Sequence, residues 1–235
     1  MPHAIRVLSS TAMKTTLEAI KPAFERESGF ELTVTFAPSV RLSQEIANGL
    51  SGDAAIITAP QIDKLATSGR MVPGSRADIA VSQIGLAVRA GEPHPDIATV
   101  DGFRQALLSA RSIGMSNPVG GGRSGEYLHG LFETLGIAEA LAGKLFYGPG
   151  GPEGLIGLYL KRGEVDIGLQ QMPELMAVPG IDIVGPLPSG AQSETLFSLG
   201  VMTDCSQPDA AARLAATLRS DAARPILRAN GFEPA

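Results

Sequence analysis

The sequence is poor in the residues that build disulfides and metal sites. It has one cysteine, Cys205, and three histidines, at positions 3, 94 and 129. A single cysteine cannot form an internal disulfide, and histidines this scattered lack metal-ligand spacing. We therefore expect Cys205 to be a structural residue, and we expect neither a metal nor an organic cofactor.

Long apolar runs and clusters of positive charge are also missing. No apolar run reaches the ~18 residues of a membrane-spanning helix, and no group of lysines and arginines offsets the net charge of −5. Without a polybasic surface, nucleic acid and anionic lipid are poor partners. We expect a soluble protein with no membrane insertion and no nucleic-acid partner.

The first residues do not resemble an export signal. Met1-Pro2-His3 leads directly into Ala4-Ile5-Arg6-Val7-Leu8, which has the pattern of a strand and not of a charged leader with an apolar segment. We expect a cytoplasmic protein if this start is native and a periplasmic one if a leader has been removed. An ABC permease is an expected partner only in the exported case.

Short strand-like runs alternate with helix-like runs along the chain. Predicted strands cover 5–9, 30–36, 54–58, 84–88, 112–115, 145–147, 165–169 and 196–202. Predicted helices cover 13–27, 42–48, 61–68, 100–109, 153–162 and the region after 209. This α/β alternation predicts mainly parallel sheets that bind ligands beyond the carboxyl ends of their strands.

The alternation restarts in the second half, which predicts two α/β lobes. Glycine- and proline-rich segments at 91–95 and 185–190 are typical of loops near the passages between lobes. We predict a first lobe from residues 1–82 and 196–235, and a second lobe from residues 83–195.

The segment Ser116–Tyr127 has the composition of an anion-binding loop. Gly120, Gly121 and Gly122 let the backbone approach a ligand, and Arg123 supplies a permanent charge at the start of a predicted helix. The alternative is a plain flexible turn.

Several strings in a shared order resemble one protein family. They are Val7-Leu8-Ser9-Ser10, Phe36-Ala37-Pro38-Ser39, Asp53-Ala54-Ala55-Ile56-Ile57-Thr58 and Gly163-Glu164-Val165-Asp166-Ile167-Gly168. They resemble the molybdate-binding group of type II periplasmic solute-binding proteins over nearly the whole chain. The resemblance implies two lobes joined by two crossing segments, with a ligand cleft between them.

Carried over residue by residue, the resemblance implies a set of ligand-binding positions. These are Ser9, Ser10, Thr11, Ser39, Gly121, Gly122, Arg123, Ser124, Gln170 and Gln171. The family's proline is replaced by Arg123, and the tyrosine that closes the molybdate pocket is replaced by Gln171. Arginine pairs with planar carboxylates and glutamine both donates and accepts, so these changes favour a di- or tricarboxylate.

Three further strings, 93–97, 163–175 and 183–188, resemble a branch of this superfamily that includes bacterial aconitate isomerase. The primary hypothesis is therefore a receptor or sensor of a small organic anion. The alternative is a cofactor-free, aconitate-type isomerase that moves a proton across an allylic unit. A third hypothesis is a molybdate- or oxyanion-binding protein of an ABC transporter.

An isomerase needs a base, for which Glu126, Glu153 and His129 are candidates, with Glu174 a less direct one. Each has a simpler interpretation: Glu126 and Glu153 as acidic residues at helix starts, and His129 as an exposed helix residue.

The binding candidates also have simpler interpretations. Ser9–Thr11 and Ser39 could have no role beyond capping the helices that follow them. Arg41 could be a solvated helix residue, and Gln170, Gln171 and Thr58 could be polar loop residues.

Overall fold

The structure, a computed structural model, describes residues 4–120 and 122–235. In chain order the elements are β1 (Ala4–Ser10), α1 (Lys14–Ser28), β2 (Glu31–Ala37), α2 (Ser39–Ala47), β3 (Ala54–Thr58), α3 (Ala59–Thr67), β4 (Ala77–Arg89), α4 (Val100–Ser109), β5 (Ile113–Ser116), α5 (Arg123–Thr134), α6 (Ala138–Leu141), β6 (Leu145–Gly148), α7 (Ile156–Arg162), β7 (Ile167–Gln171), α8 (Met172–Met176), β8 (Ile181–Pro186), β9 (Glu194–Val201), α9 (Pro208–Leu218), α10 (Ala223–Ala229) and β10 (Phe232–Pro234). Short 3-10 turns occupy Thr11–Met13, Ala142–Lys144, Pro152–Gly154 and Ser189–Ala191.

The chain forms two compact units. Unit 1 contains the chain up to Ser82 together with Thr195–Ala235, and unit 2 contains Gln83–Glu194. The chain leaves unit 1 within β4 and returns to it at the start of β9.

The sheet of unit 1 is built around β1, which pairs in parallel with β2 and β3. Strand β9 pairs antiparallel with β3, and β10 pairs antiparallel with the first half of β4. Neighbouring strand residues belong to different apolar clusters: Ile56 packs with α1, α9 and α10, and Ile57 packs with α2 and α3. Because side chains alternate along a strand, helices cover both faces of this sheet.

The sheet of unit 2 follows the same plan. Strand β5 pairs in parallel with β6 and β7, and the second half of β4 pairs antiparallel with β7 and β8. Leu86 packs in the cluster of α4, α5 and α6, whereas Ala87 packs with Leu160 of α7 and Leu175 of α8. Parallel strands with helices on both faces agree with the predicted α/β class.

A buried carboxylate fixes the start of unit 1. Asp53, which is 0% exposed, accepts hydrogen bonds from the backbone N–H groups of Arg6 and Ser206, both at 2.8 Å, and from the Ser206 hydroxyl at 2.9 Å. Burial alone would raise the pKa of Asp53. The three hydrogen bonds and the nearby Arg6 guanidinium outweigh it, so the pKa of Asp53 lies below its ordinary value.

The structure corrects two predicted elements. The predicted helix 153–162 is interrupted, because Pro152–Gly154 form a 3-10 turn and the extended Leu155 separates it from α7. The predicted loop 185–190 begins later, because Gly185 and Pro186 belong to β8. The β4–β8 register shifts beside Gly185, whose φ of 152° suits glycine at such an irregularity.

Candidate functional site

In unit 1, the predicted binding residues lie at one edge of the sheet. Strands β1, β2 and β3 are parallel, with Ser10 opposite Ala37 and Ser9 opposite Ile56. Their carboxyl ends therefore share one edge, which is where open α/β sheets bind ligands. Ser9–Thr11 end or follow β1, Ser39 follows β2, and Thr58 ends β3.

The Ser9–Thr11 segment is buried but does not cap a helix. Ser10 precedes the 3-10 turn without a side-chain capping bond, and the residue that caps α1 is Met13. The Ser9 hydroxyl donates to the Ser10 carbonyl at 3.3 Å. Among the residues that the structure describes, Thr11 Oγ1 is buried without a hydrogen-bond partner, an arrangement that costs about 1–3 kcal/mol and that a ligand could relieve. The helix-capping interpretation of this segment is therefore wrong.

Ser39 is the first residue of α2 and is 5% exposed, and the N-cap residue Pro38 makes no side-chain capping bond. Gln61 supports it from α3. In the amide orientation that satisfies its neighbours, Gln61 donates to Thr58 Oγ1 at 2.9 Å and to the Ser39 carbonyl at 3.3 Å, and accepts from the Val40 N–H at 3.3 Å. Gln61 was not among the candidates predicted from the sequence, although Thr58-x-x-Gln61 has the spacing of a capping box.

Arg41 is a solvated helix residue. Its Nε donates to Glu45 Oε1 at 2.8 Å, one turn along α2, and its side chain is largely exposed.

In unit 2, a second edge gathers the remaining candidates. Strands β5, β6 and β7 run parallel, with Ser116 opposite Gly148 and Met115 opposite Leu169. The segments after these strands therefore leave the sheet at one edge, with Gly122–Ser124 after β5, Glu153 after β6, and Gln170 and Gln171 at the end of β7. Gly121 lies outside the described residues.

The start of α5 is held close to the sheet. Gly122, with φ of 126°, precedes the helix, and Arg123 is its exposed first residue. Ser124 and Gly125 are buried, and a Cβ on Gly125 would lie 2.4 Å from the Ser116 carbonyl oxygen. Glycine is therefore required there so that the first turn of α5 can reach the end of β5.

Arg123 carries an uncompensated charge. Across 4–120 and 122–235, it takes part in none of the ion pairs closer than 4.0 Å. One turn further on, the Tyr127 hydroxyl donates to the Gln192 carbonyl at 3.1 Å, and burial raises the pKa of Tyr127. Tyr127 thus anchors α5, while Arg123 keeps its guanidinium available for an anion.

The two glutamines at the end of β7 differ in role. The Gln170 side-chain oxygen accepts the Ile156 N–H at 2.9 Å and so satisfies the first turn of α7. Gln171 is also buried and directly precedes α8. Gln170 therefore has a structural function, which the sequence analysis had left open against ligand contact.

The candidate bases fall into two groups. Glu126 and Glu153 are exposed, and His129 is exposed with its Nε2 3.8 Å from Glu133 Oε1. Glu174, in contrast, is partly buried in the first turn of α8. Burial raises the pKa of Glu174 to about 7, although a hydrogen bond from the Gln171 backbone N–H opposes the rise.

A cavity of about 620 Å³ in unit 2 lies at the other edge of the sheet. Its lining includes Val88, near the end of β4, and Ile167, at the start of β7. Four of its charged lining residues form two pairs, Arg89 with Glu92 and Arg111 with Asp166, and the fifth, Asp96, accepts the Ala98 N–H. None of the predicted binding residues lines it.

The described residues contain neither a metal-ligand cluster nor a membrane-spanning helix. Across the described ranges, His, Cys, Asp and Glu form no group of three that could hold a metal ion. In the same part of the chain, no helix combines the length and apolarity needed to cross a bilayer. Cys205 is a half-buried free thiol that packs against the core of unit 1, and burial raises its pKa.

This fold and its strand-edge sites define a class of protein. Residues 5–233 match the family described as bacterial extracellular solute-binding protein, and the chain belongs to that family. Among curated proteins, the chain is 35% identical to the aconitate isomerase of a Pseudomonas species over 98% of this chain and 87% of that protein.

Solved structures show the same fold at low sequence identity. The periplasmic molybdate-binding protein of Azotobacter vinelandii is 18% identical, with a TM-score of 0.80 over 97% of this chain and 98% of its own. The sulfate-binding protein SubI of Mycobacterium tuberculosis is 17% identical, with a TM-score of 0.74 over 99% of this chain and 87% of its own. The predicted type II, molybdate-binding-protein-like fold is therefore confirmed.

Proposed function

We propose that this solute-binding protein binds a small organic polycarboxylate. The observation that carries the proposal is Arg123, exposed and unpaired by any described carboxylate at the first residue of α5. Its guanidinium can form two parallel hydrogen bonds with a carboxylate. The first N–H groups of α5 favour an anion at the same place.

Hydroxyl groups at the strand edge of unit 1 support the same chemistry. Among the described residues Thr11 Oγ1 is buried without a partner, and Ser39 places a buried hydroxyl at the first residue of α2. Hydroxyls and helix N–H groups donate to carboxylate oxygens as readily as to inorganic oxyanions. The distinction between the two ligand classes therefore depends on the added arginine.

Calorimetry with citrate, cis-aconitate, trans-aconitate, molybdate and sulfate tests this proposal. We expect a tricarboxylate to bind more tightly than either inorganic anion. Arg123→Ala should weaken that binding about 10- to 100-fold, because a hydrogen bond to a charged group contributes about 1.5–3 kcal/mol. Arg123→Lys should recover only part of the loss, because lysine keeps the charge without the fork.

Arg213→Ala is a matched control, because Arg213 is an exposed arginine on α9. Tighter binding of molybdate than of any carboxylate, or an Arg123→Ala protein that binds like the Arg213→Ala control, would refute the proposal.

We further propose that the chain interconverts cis- and trans-aconitate. The observation that favours this second function is the 35% identity to an aconitate isomerase across nearly the full length of both proteins. The reaction removes a proton from the methylene carbon, shifts the double bond, and returns a proton to the far carbon. No net oxidation occurs, and developing negative charge on the carboxylate would be stabilised by Arg123.

Proton NMR tests the isomerase function. Purified protein incubated with either isomer should drive the mixture to the same final ratio, whereas a sample without protein should remain unchanged. An isomer ratio that never moves would refute catalysis and leave the binding proposal to the calorimetry.

A further inference from the structure

Gln192 connects three segments of unit 2. It lies two residues before the unit ends at Glu194. Its side-chain oxygen accepts the N–H groups of Ile84 and Ser193, both at 2.9 Å, and its side-chain nitrogen donates to the carbonyl oxygens of Ile84 at 2.9 Å and Leu187 at 3.2 Å. An amide has two donors and two acceptor sites, so this side chain uses its full hydrogen-bonding capacity within the protein.

The Gln192 side chain joins the segment that enters unit 2 to the segment that leaves it. Ile84 is the second residue of the unit and belongs to β4, whereas Leu187 and Ser193 belong to the stretch between β8 and β9. The Leu187 N–H also donates to the Ile84 carbonyl at 3.0 Å. Ile84 and Leu187 are buried in the apolar cluster that contains Leu128 of α5. The side chain therefore fixes the leaving segment against β4 and the core of unit 2.

The backbone of Gln192 contacts the helix that carries the proposed anion site. The Tyr127 hydroxyl donates to the Gln192 carbonyl oxygen at 3.1 Å. Tyr127 packs against the same apolar cluster and lies about one helical turn beyond Arg123, the first residue of α5. The hydrogen bond therefore holds the turn of α5 that directly follows Arg123.

Tyr127 is the polar side chain that ties α5 to another element. Among the residues that the structure describes, the polar contacts made by the other side chains of α5 stay inside the helix. They join His129 to Glu133 and Thr134 to the Gly130 carbonyl. The position of the first turn of α5 therefore depends on apolar packing and on the hydrogen bond between Tyr127 and Gln192.

We propose that Gln192 and Tyr127 are positioning residues that hold Arg123 in place for its ligand, an inference that rests on the proposed binding of a polycarboxylate. The side chain of Gln192 fixes its own carbonyl, the carbonyl fixes Tyr127, and Tyr127 fixes the first turn of α5. Neither residue needs to touch the anion. Because two parallel hydrogen bonds between a guanidinium and a carboxylate require a set alignment, a small displacement of α5 weakens them.

Two substitutions break this connection at different points. Gln192→Met keeps the length of the side chain and removes its four hydrogen bonds, and Tyr127→Phe removes only the hydroxyl. We expect the Kd for trans-aconitate, measured by calorimetry, to rise about 3- to 10-fold in each variant. The matched controls are Gln105→Met, at an exposed position of α4, and Tyr159→Phe, on α7, and both should bind like the wild type.

A loss of stability alone would not produce this result. Calorimetry of a fully folded variant reports the affinity of the native state, and far-ultraviolet circular dichroism at the same temperature checks that each variant is folded. Tyr127→Phe loses a single hydroxyl, so it keeps the test decisive even if Gln192→Met does not fold.

A double-mutant cycle measures whether the effect passes through Arg123. In an Arg123→Ala background, Gln192→Met and Tyr127→Phe should change the Kd by less than about twofold, because the group that they position is absent. A merely structural role would instead weaken binding by the same factor with and without Arg123.

The outcomes separate this inference from the proposed function. If Arg123→Ala weakens binding but the two variants bind like their controls, or add their full losses to that of Arg123→Ala, the positioning role alone is overturned. A wild type that does not bind trans-aconitate, or an Arg123→Ala protein that binds it like the wild type, would overturn the polycarboxylate proposal and the positioning role together.

Discussion

Two glycines in α5 should respond oppositely to the same substitution. A Cβ added to Gly125 would lie 2.4 Å from the Ser116 carbonyl oxygen and 2.7 Å from the Asn117 carbonyl oxygen. A Cβ added to Gly130, in the same helix, would meet nothing within 4 Å. Because the atoms near Gly125 belong to the backbone, a rotamer change cannot relieve the overlap.

The magnitudes follow from two opposing effects. Alanine gains about 0.8–1.0 kcal/mol over glycine inside a helix at either position. At Gly125, the overlap costs about 1–3 kcal/mol or more, as overpacking commonly does. We therefore expect Gly130→Ala to stabilise the protein by up to about 1 kcal/mol, and Gly125→Ala to destabilise it by about 1–2 kcal/mol.

Urea denaturation followed by far-ultraviolet circular dichroism measures both variants, since the chain has no tryptophan to report by fluorescence. Gly125→Ala should also weaken carboxylate binding, because moving the first turn of α5 away from β5 displaces Arg123. A Gly125→Ala protein as stable as Gly130→Ala would refute the close approach of α5 to β5.

Three other substitutions test buried polar groups by denaturation. Gln170→Leu should cost about 1–3 kcal/mol, because the Ile156 N–H loses its acceptor; a change below 0.5 kcal/mol would contradict this. Asp53→Asn should cost about 2 kcal/mol at pH 7. The pKa of Asp53 is lower in the folded protein than in the unfolded chain. The stability that the Asp53 carboxylate contributes is therefore fully present above its ordinary pKa and is lost as the pH falls through the folded-state pKa. In acid, the free energies of unfolding of the variant and the wild type should converge. The pKa of Glu174 is raised, so its effect has the opposite sign: wild-type stability relative to Glu174→Gln should fall as pH rises from about 4.5 to about 7, by about 1–3 kcal/mol. A difference in the free energy of unfolding that did not change with pH would contradict the raised pKa of Glu174.

The order of strands and helices could be predicted from the sequence because it depends on local periodicity. Leu17, Ile20 and Phe24 are spaced for one helix face, and all three are buried in α1. The end of β7 was predicted too early, at residue 169. Gln170 and Gln171 look like polar loop residues, but their side chains are buried at the strand end.

Contacts between distant residues could not be predicted in this way. The Gln170 side chain accepts the N–H of Ile156, which lies 14 residues earlier in the chain at the start of α7. The same holds for Tyr127, whose partner Gln192 is 65 residues away. A polar residue type indicates that a hydrogen bond is needed, but only the tertiary structure determines whether protein or ligand supplies it.

Gln170 and Arg123 do not carry equal weight in the choice of ligand. Arg123 and Gln171 were the residues that indicated a carboxylate site in the sequence, and Gln170 was a neighbouring binding candidate whose side-chain oxygen already accepts a protein hydrogen bond. Arg123 keeps an exposed guanidinium with no described carboxylate in ion-pair range, so the preference for a carboxylate rests on this residue and on Gln171 rather than on Gln170.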